Sequence, residues 1–345
     1  MRLGVTSAFS DDIAIDLGTA NTLVLVVGRG IIIDEPSVVA LQNKRGVREL
    51  LAVGEKARAM LGRTPEGIET IRPLRDGVIA DFLATEEMLR QFIKRAKSST
   101  GFRRPRILIS VPAGATPVER RAVYETALSA GARQVYLIEE PVAAAIGAGL
   151  PIDEPAGSMV LDIGGGTADV AVLSLGGVVQ ARSLKVAGNA FDEAIIRYVR
   201  REHQLLIGEV NAERIKIEAG TASQIVNGRH AEIHIMGRDL KQGRPKTIVL
   251  TPQDIALALA EPMERLSEFV QRCVEDLPPE LANDICQRGI NITGGGALLD
   301  KIDVELERRV GVKFVVPDQP KNCVVMGSAR VLQQLQGREH LLIRP

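Results

Sequence analysis

The sequence predicts an α/β fold built twice over, with a cleft between the two copies. Three observations carry that reading. The chain has 345 residues, more than one hydrophobic core usually serves, so two domains are expected. Near-continuous apolar runs alternate with segments of helical spacing, which favours α/β layers over a bundle or a sandwich. One stretch of grammar also occurs twice. "IAIDLGTANTLVLV" (Ile13–Val26) and "MVLDIGGGTADVAVL" (Met159–Leu173) each run apolar strand, Asp, apolar residue, Gly, Thr-Ala step, apolar strand, with Asp16 and Asp162 146 residues apart.

Taken in order, Ile13–Ile15, Leu23–Val27, Ile107–Val111, Val135–Ile138, Met159–Leu161 and Val170–Leu173 read as buried strands. Val118–Ala130, Pro141–Gly149, Asp192–Arg201, Asn211–Ala219, Pro252–Val274 and Ala297–Val310 read as helices. With 3% aromatic residues and no Trp, the core must be built from Ile, Leu, Val and Ala. Lys+Arg and Asp+Glu balance at 43 each, which argues against nucleic acid as the main partner. Cys273, Cys286 and Cys323 are too scattered for a metal cluster or a disulfide framework, which suits a reducing compartment. No apolar run is long enough to span a bilayer and the first residues lack a signal-peptide core, so a cytosolic protein is expected.

The glycines carry the chemistry. A glycine turn between strands presents consecutive N–H groups in a concavity that binds anions. The Asp before each turn would be repelled by phosphate, but it can hold Mg²⁺ or its waters. Two such hairpins facing each other would clamp a polyphosphate. A third cluster, "NITGGGALLD" (Asn291–Asp300), leaves room for a base or ribose against backbone and is expected to open a helix. Neither a Walker-A loop nor G-x-G-x-x-G is present, which removes the P-loop and Rossmann readings. In "VYLIEEPVAAAIGAG" a strand ends in Glu139 and Glu140, and Pro141 starts an Ala-rich helix. These glutamates either complement the helix dipole or put a carboxylate in the cleft to orient a water attacking a γ-phosphate. Glu213 and Lys216 share a helix face three residues apart, the spacing of a surface ion pair.

Together the three loops resemble the actin/Hsp70/sugar-kinase ATPase superfamily. Within it "EPSVVAL", "IRPLRDGVIADF", "VPAGATPVERRAV", "IEEPVAAAIGAGLP", "DIGGGTADVAVLSL", "FDEAI", "IGEVNAERIKIEAGTA" and "ITGGGALL" are similar to the MreB family of bacterial actins, from about Asp12 to Leu332. The resemblance implies an actin-like ATPase fold with two RNase H-like domains, each carrying a smaller inserted subdomain, and nucleotide in the inter-domain cleft. The expected division is 1–145 plus 318–345, with its subdomain near 33–75, and 146–317, with its subdomain near 182–250. It implies binding and hydrolysis of ATP to ADP with Mg²⁺, and assembly into antiparallel double filaments. Those filaments would lie on the inner face of the plasma membrane, beside membrane adaptor proteins and the cell-wall elongation machinery. Carried over, Thr19, Ala20 and Asn21 fall on the first phosphate loop and Gly164, Gly165, Gly166 and Thr167 on the second. Glu213, Arg214, Ile215 and Lys216 fall on the adenosine pocket, and Gly294, Gly295, Gly296 and Ala297 on the third loop. Glu140 matches the glutamate that positions the hydrolytic water, with Thr167 assisting, and Asp16 and Asp162 match the metal-organising pair.

Ala187, Asn189 and the glycine spacing in "CVVMGSARVL" depart from the family pattern, near the ribose and the back of the base pocket. The expected membrane contacts are "MRLGVTSAF" and the basic stretch "KRAKSSTGFRRPR" (Lys94–Arg106). A sugar-kinase-like activity on this fold would need a distinct general-base Asp, and a chaperone ATPase would need a peptide-binding domain. Only 49 residues follow Gly296.

Overall fold

The computed structural model describes residues 12–44, 47–97, 104–223 and 232–345. In the first half the main elements are β1 (Ile13–Leu17), β2 (Asn21–Val26), β3 (Gly30–Pro36), α1 (Phe82–Ala96), β4 (Arg106–Val111), α2 (Pro117–Ser129), β5 (Gln134–Glu139) and α3 (Glu140–Gly147). The second half contributes β6 (Ser158–Ile163), β7 (Ala168–Ser174), β8 (Gly177–Leu184), α4 (Gly188–His203), α5 (Glu209–Ala219) and α6 (Pro252–Glu275). It continues through α7 (Pro279–Arg288), β9 (Ile290–Thr293), α8 (Ile302–Val310), β10 (Phe314–Val315) and α9 (Cys323–Gln333).

Each half builds one mixed sheet on the same plan. The first runs β5-β4-β1-β2-β3, with a C-terminal strand, Leu342–Ile343, added outside β5, and the second runs β10-β9-β6-β7-β8. The hairpins β1–β2 and β6–β7 are antiparallel, whereas β4 and β9 run parallel to β1 and β6. Even the register repeats. Asp16 stands opposite Leu23 and beside Ser110, and Asp162 stands opposite Asp169 and beside Thr293. The duplicated grammar is therefore a duplicated pairing scheme.

Alternation along each strand sorts side chains to two faces. In the first sheet Ile13, Ile15, Val24 and Ile109 pack outward against α1 and α2 in one core cluster. In the second, Leu161, Val170 and Ile292 join a cluster with α4, α6 and α8. The inner faces meet in a third cluster, where Leu108, Val160 and Ala171 pack around α3 and α9. Gly147 and Gly327 let these two helices touch backbone to backbone: a Cβ on Gly327 would collide with the Ala143 carbonyl. This shared floor fixes the two sheets relative to each other beneath the cleft.

Two small sheets are inserted. Val39–Lys44 pairs with Val47–Val53 and Ile68–Ile71 between β3 and α1, and Ile233–Asp239 pairs with Leu205–Leu206 and Pro245–Leu250 on the far side. One expected helix is corrected. Instead of continuing from Ala297 to Val310, the chain makes a 3₁₀ turn over Gly295–Leu298 and restarts at Ile302. Leu299 is extended, Lys301 is left-handed (φ 56°), and Asp300 bridges to Thr221, which together break the helix. Among the described residues no helix is long and apolar enough to cross a membrane.

Candidate functional site

A cavity of about 360 Å³ opens where the C-terminal ends of β1 and β6 face each other, the usual ligand position in a sheet of parallel strands. The two glycine hairpins form its opposite walls, with Thr19, Ala20 and Asn21 on one side and Gly164, Gly165, Gly166 and Thr167 on the other. They interdigitate closely. A Cβ on Gly165 would come 2.6 Å from the Ala20 Cβ, and one on Gly166 would come 2.7 Å from the Thr19 Oγ1 and the Asp76 Cα. A side chain at either position would push the walls apart, which is the physical need for those glycines. Thr19 Oγ1 accepts the Gly77 N–H at 2.9 Å, and the second hairpin is pinned from its own side by the Gly188 and Asn189 N–H groups on the Gly164 and Gly165 carbonyls at 3.1 and 2.7 Å.

Four carboxyl groups collect at the floor. Glu140 opens α3, where Pro141 occupies the first turn and the strand–helix junction aims the side chain into the cavity. It is only 8% exposed, and burial, then Asp169, Asp16 and Asp162, raises its proton affinity well above the usual carboxylate range. Asp16 is pushed up to about 7 by burial, against a hydrogen bond from the Ser110 hydroxyl at 3.3 Å. Asp162 is likewise pushed up to about 7 by burial, against a 2.6 Å bond from Thr293. The equivalence of these two groups follows from the repeated register. Neighbouring buried carboxylates of this kind are costly until a cation joins them, so Asp16 and Asp162 fit a divalent metal. Among the described residues no three His, Cys, Asp or Glu side chains form a ready-made metal ligand set.

The third loop borders the cavity through Gly294, Gly295 and Gly296. Gly294 has φ 81°, and a Cβ there would strike the Ile163 carbonyl. Helix α5 supplies Glu213 and Lys216, with Ile217 beside them. The surface ion pair that their spacing allows gives way to other partners: Glu213 binds Arg58 at 2.7 Å, and Lys216 binds Asp192 at 2.8 Å and the Gly188 carbonyl at 3.0 Å. Three other expected residues do not reach the cavity. Ile215 is fully buried in the second-half core, Ala297 packs in that same core, and Arg214 turns outward to Glu218 at 2.9 Å. At about 100° per residue, four consecutive helical positions cannot share one face.

Several cavity residues lay beyond the sequence reading. Arg72, Gly77 and Asp192 line the wall, as does Lys321, which pairs with Asp34 at 2.6 Å. Arg72 and Gly77 fall inside "IRPLRDGVIADF", but nothing in that string shows that it folds over the first glycine hairpin. Asn189 lines the cavity and Val324 its back, so the atypical segments do border the site. Of the expected membrane contacts, residues 1–11 and 98–103, including Phe102 and Arg103, lie outside the described residues. Within Lys94–Arg106, Arg95 is paired with Glu35 and Arg106 with Asp12, so these two charges are already spent inside the molecule.

A family model described as MreB/Mbl protein matches residues 10–340. The chain is 52% identical over 330 residues to the cell shape-determining protein MreB of Escherichia coli (strain K12), covering 95% of this chain and 94% of that one. Among solved structures, MreB 5 of Spiroplasma citri bound to AMPPNP matches with a TM-score of 0.89 at 37% identity, over 96% of this chain and 98% of the other. The MamK double helical filament matches with a TM-score of 0.78 at 20% identity, over 94% and 99%.

Proposed function

Because the chain belongs to the MreB/Mbl protein family and has the actin-like fold, we propose that it binds ATP in this cleft, hydrolyses it slowly and polymerises in step with the nucleotide it holds. The observation that carries this reading is the pair of matched hairpins across one cavity, Thr19 on one wall and Thr167 on the other. Backbone N–H groups of Thr19–Asn21 and Gly164–Thr167 would grip the phosphates from two sides. Adenosine would lie between α5, at Glu213 and Lys216, and the third loop at Gly294–Gly296. Support for nucleotide binding comes from the Spiroplasma relative, whose structure holds AMPPNP. Asp16 and Asp162 would hold Mg²⁺ through its waters, and the ion, when bound, would neutralise charge on the phosphates.

Glu140 and Thr167 come from opposite halves and border the same cavity. Together they would orient the attacking water. An ionised Glu140 would accept a hydrogen from that water, and positioning accounts for most of the acceleration in such reactions. The two lobes would divide as 1–145 plus 318–345 and 146–317. The pairing of Leu342–Ile343 with β5 supports the return of the C-terminus to the first lobe.

The filaments are proposed as antiparallel double strands on the inner membrane face, organising wall elongation with adaptor proteins. Support comes from the cell shape-determining relatives and from a filament, that of MamK, built on the same fold. Lys94, Lys97 and Arg104 would add to lipid binding, each contributing ~1 kcal/mol near an anionic surface, with avidity along the polymer. Glu140→Ala tests the core of the reading. Phosphate release should slow by about 10²-fold, while ATP binding and ATP-dependent sedimentation persist. Unchanged hydrolysis would remove Glu140 from its role, and wild-type protein that never sediments with ATP would remove the filament.

A further inference from the structure

Position 169 breaks the symmetry of the two halves. The 146-residue shift that carries Asp16 onto Asp162 carries Leu23 onto Asp169. Both face the same way, opposite the metal-side aspartate of their hairpin. Leu23 is apolar and lines the cavity, whereas Asp169 lies fully buried beneath it. A buried carboxylate opposite another carboxylate is a poor choice for packing alone, so it needs a specific partner.

That partner lies across the cleft. Asp169 Oδ1 accepts the Ala113 N–H at 3.0 Å, and on its own side of the cleft the Thr167 and Ser183 hydroxyls also hydrogen-bond its carboxylate. Ala113 sits two residues beyond the end of β4, whose last residue, Val111, is in register with Glu139, the neighbour of Glu140. Asp169 follows Thr167 by two residues. The bond therefore ties the edge that carries Glu140 to the hairpin that carries Thr167. The first hairpin carries no water-orienting residue, and its Leu23 has no need of such a tie.

We propose that Asp169 is a positioning residue for hydrolysis: by holding the Ala113 N–H across the cleft floor, it sets the spacing at which Glu140 and Thr167 can reach one water. This rests on the ATPase reading above. The test uses the full chain, with phosphate release giving kcat and a fluorescent ATP analogue giving affinity. Asp169→Ala should lower kcat by about tenfold or more, with affinity held within about threefold. Asp169→Asn, whose side-chain oxygen still accepts the N–H, should recover most of the rate. Ala113→Pro removes the donor at the second position of a turn closed by the Ala115 N–H on the Pro112 carbonyl at 3.0 Å, a place that tolerates proline. It should reproduce the loss in kcat, and it carries the test should Asp169→Ala fail to fold. Wild-type turnover in Asp169→Ala, an affinity loss matching the rate loss, or an Asn variant as slow as Ala would each overturn the proposal. Wild-type protein that neither binds nor hydrolyses ATP would instead overturn the ATPase reading.

Discussion

Asp192 shows how the cavity wall charges a cost to single residues. It bonds Lys216 at 2.8 Å, yet burial still pushes its carboxyl up from 3.8 to about 6. A carboxyl that binds its proton more tightly when folded costs nothing below about pH 4, where folded and unfolded states are both protonated. The cost develops as pH rises towards about 6, because only the folded state resists ionisation. A displacement of this size corresponds to about 3 kcal/mol. Asp192→Asn should therefore gain on the wild type between pH 4 and pH 7, as read by urea unfolding of the nucleotide-free protein. A stability difference that stayed flat over that range would show that the charge is better solvated than its burial implies. Its partner, Lys216, borders the cavity, and on the proposed reading that cation would lie beside bound phosphates.

At the scale of the element, α5 explains which parts of the site were legible in the sequence. Ala212, Ile215 and Ala219 face the core, Glu213, Lys216 and Ile217 face the cavity, and Arg214 faces solvent beside Glu218. A contiguous motif names the helix, but its 3.6-residue period decides which members touch a ligand. Lys216→Ala should weaken nucleotide binding by about tenfold, the effect of losing one charged hydrogen-bonding group. Arg214→Ala should leave affinity within about threefold, its ion pair being a surface one. Equal losses in a fluorescent-nucleotide titration would return Arg214 to the site. The same physics separates success from failure elsewhere. The glycine hairpins could be read because their close approach needs missing side chains, which is a property of composition. The break between Leu298 and Ile302 could not, since it falls where Asp300 bridges to Thr221, a partner 79 residues away, and Lys301 is left-handed.

Across the whole molecule the duplicated sheets were visible as repeated grammar, but the contacts that close the cleft were not. Arg58, on the inserted part of the first half, binds Glu213 at 2.7 Å, and Arg72 lies 3.7 Å from Glu209. Both acids sit on α5 of the second half. Partners 155 residues apart leave no mark in spacing, since surface charges occur everywhere and only the fold decides which meet. With the inner core cluster as floor and these pairs at the mouth, a nucleotide between them would be enclosed at both ends. The Arg58 and Glu213 side chains are 30% and 23% exposed, so their pairing contributes only ~0.2–1 kcal/mol. On the proposed reading, a pair of that strength would slow nucleotide release without locking the cleft. Arg58→Glu should speed nucleotide dissociation by about two- to fivefold in stopped-flow displacement. The effect should shrink as ionic strength rises, and Glu213→Arg in the same chain should reverse much of it. Dissociation that ignored Arg58→Glu at low salt would mean that the mouth is held by the glycine hairpins alone.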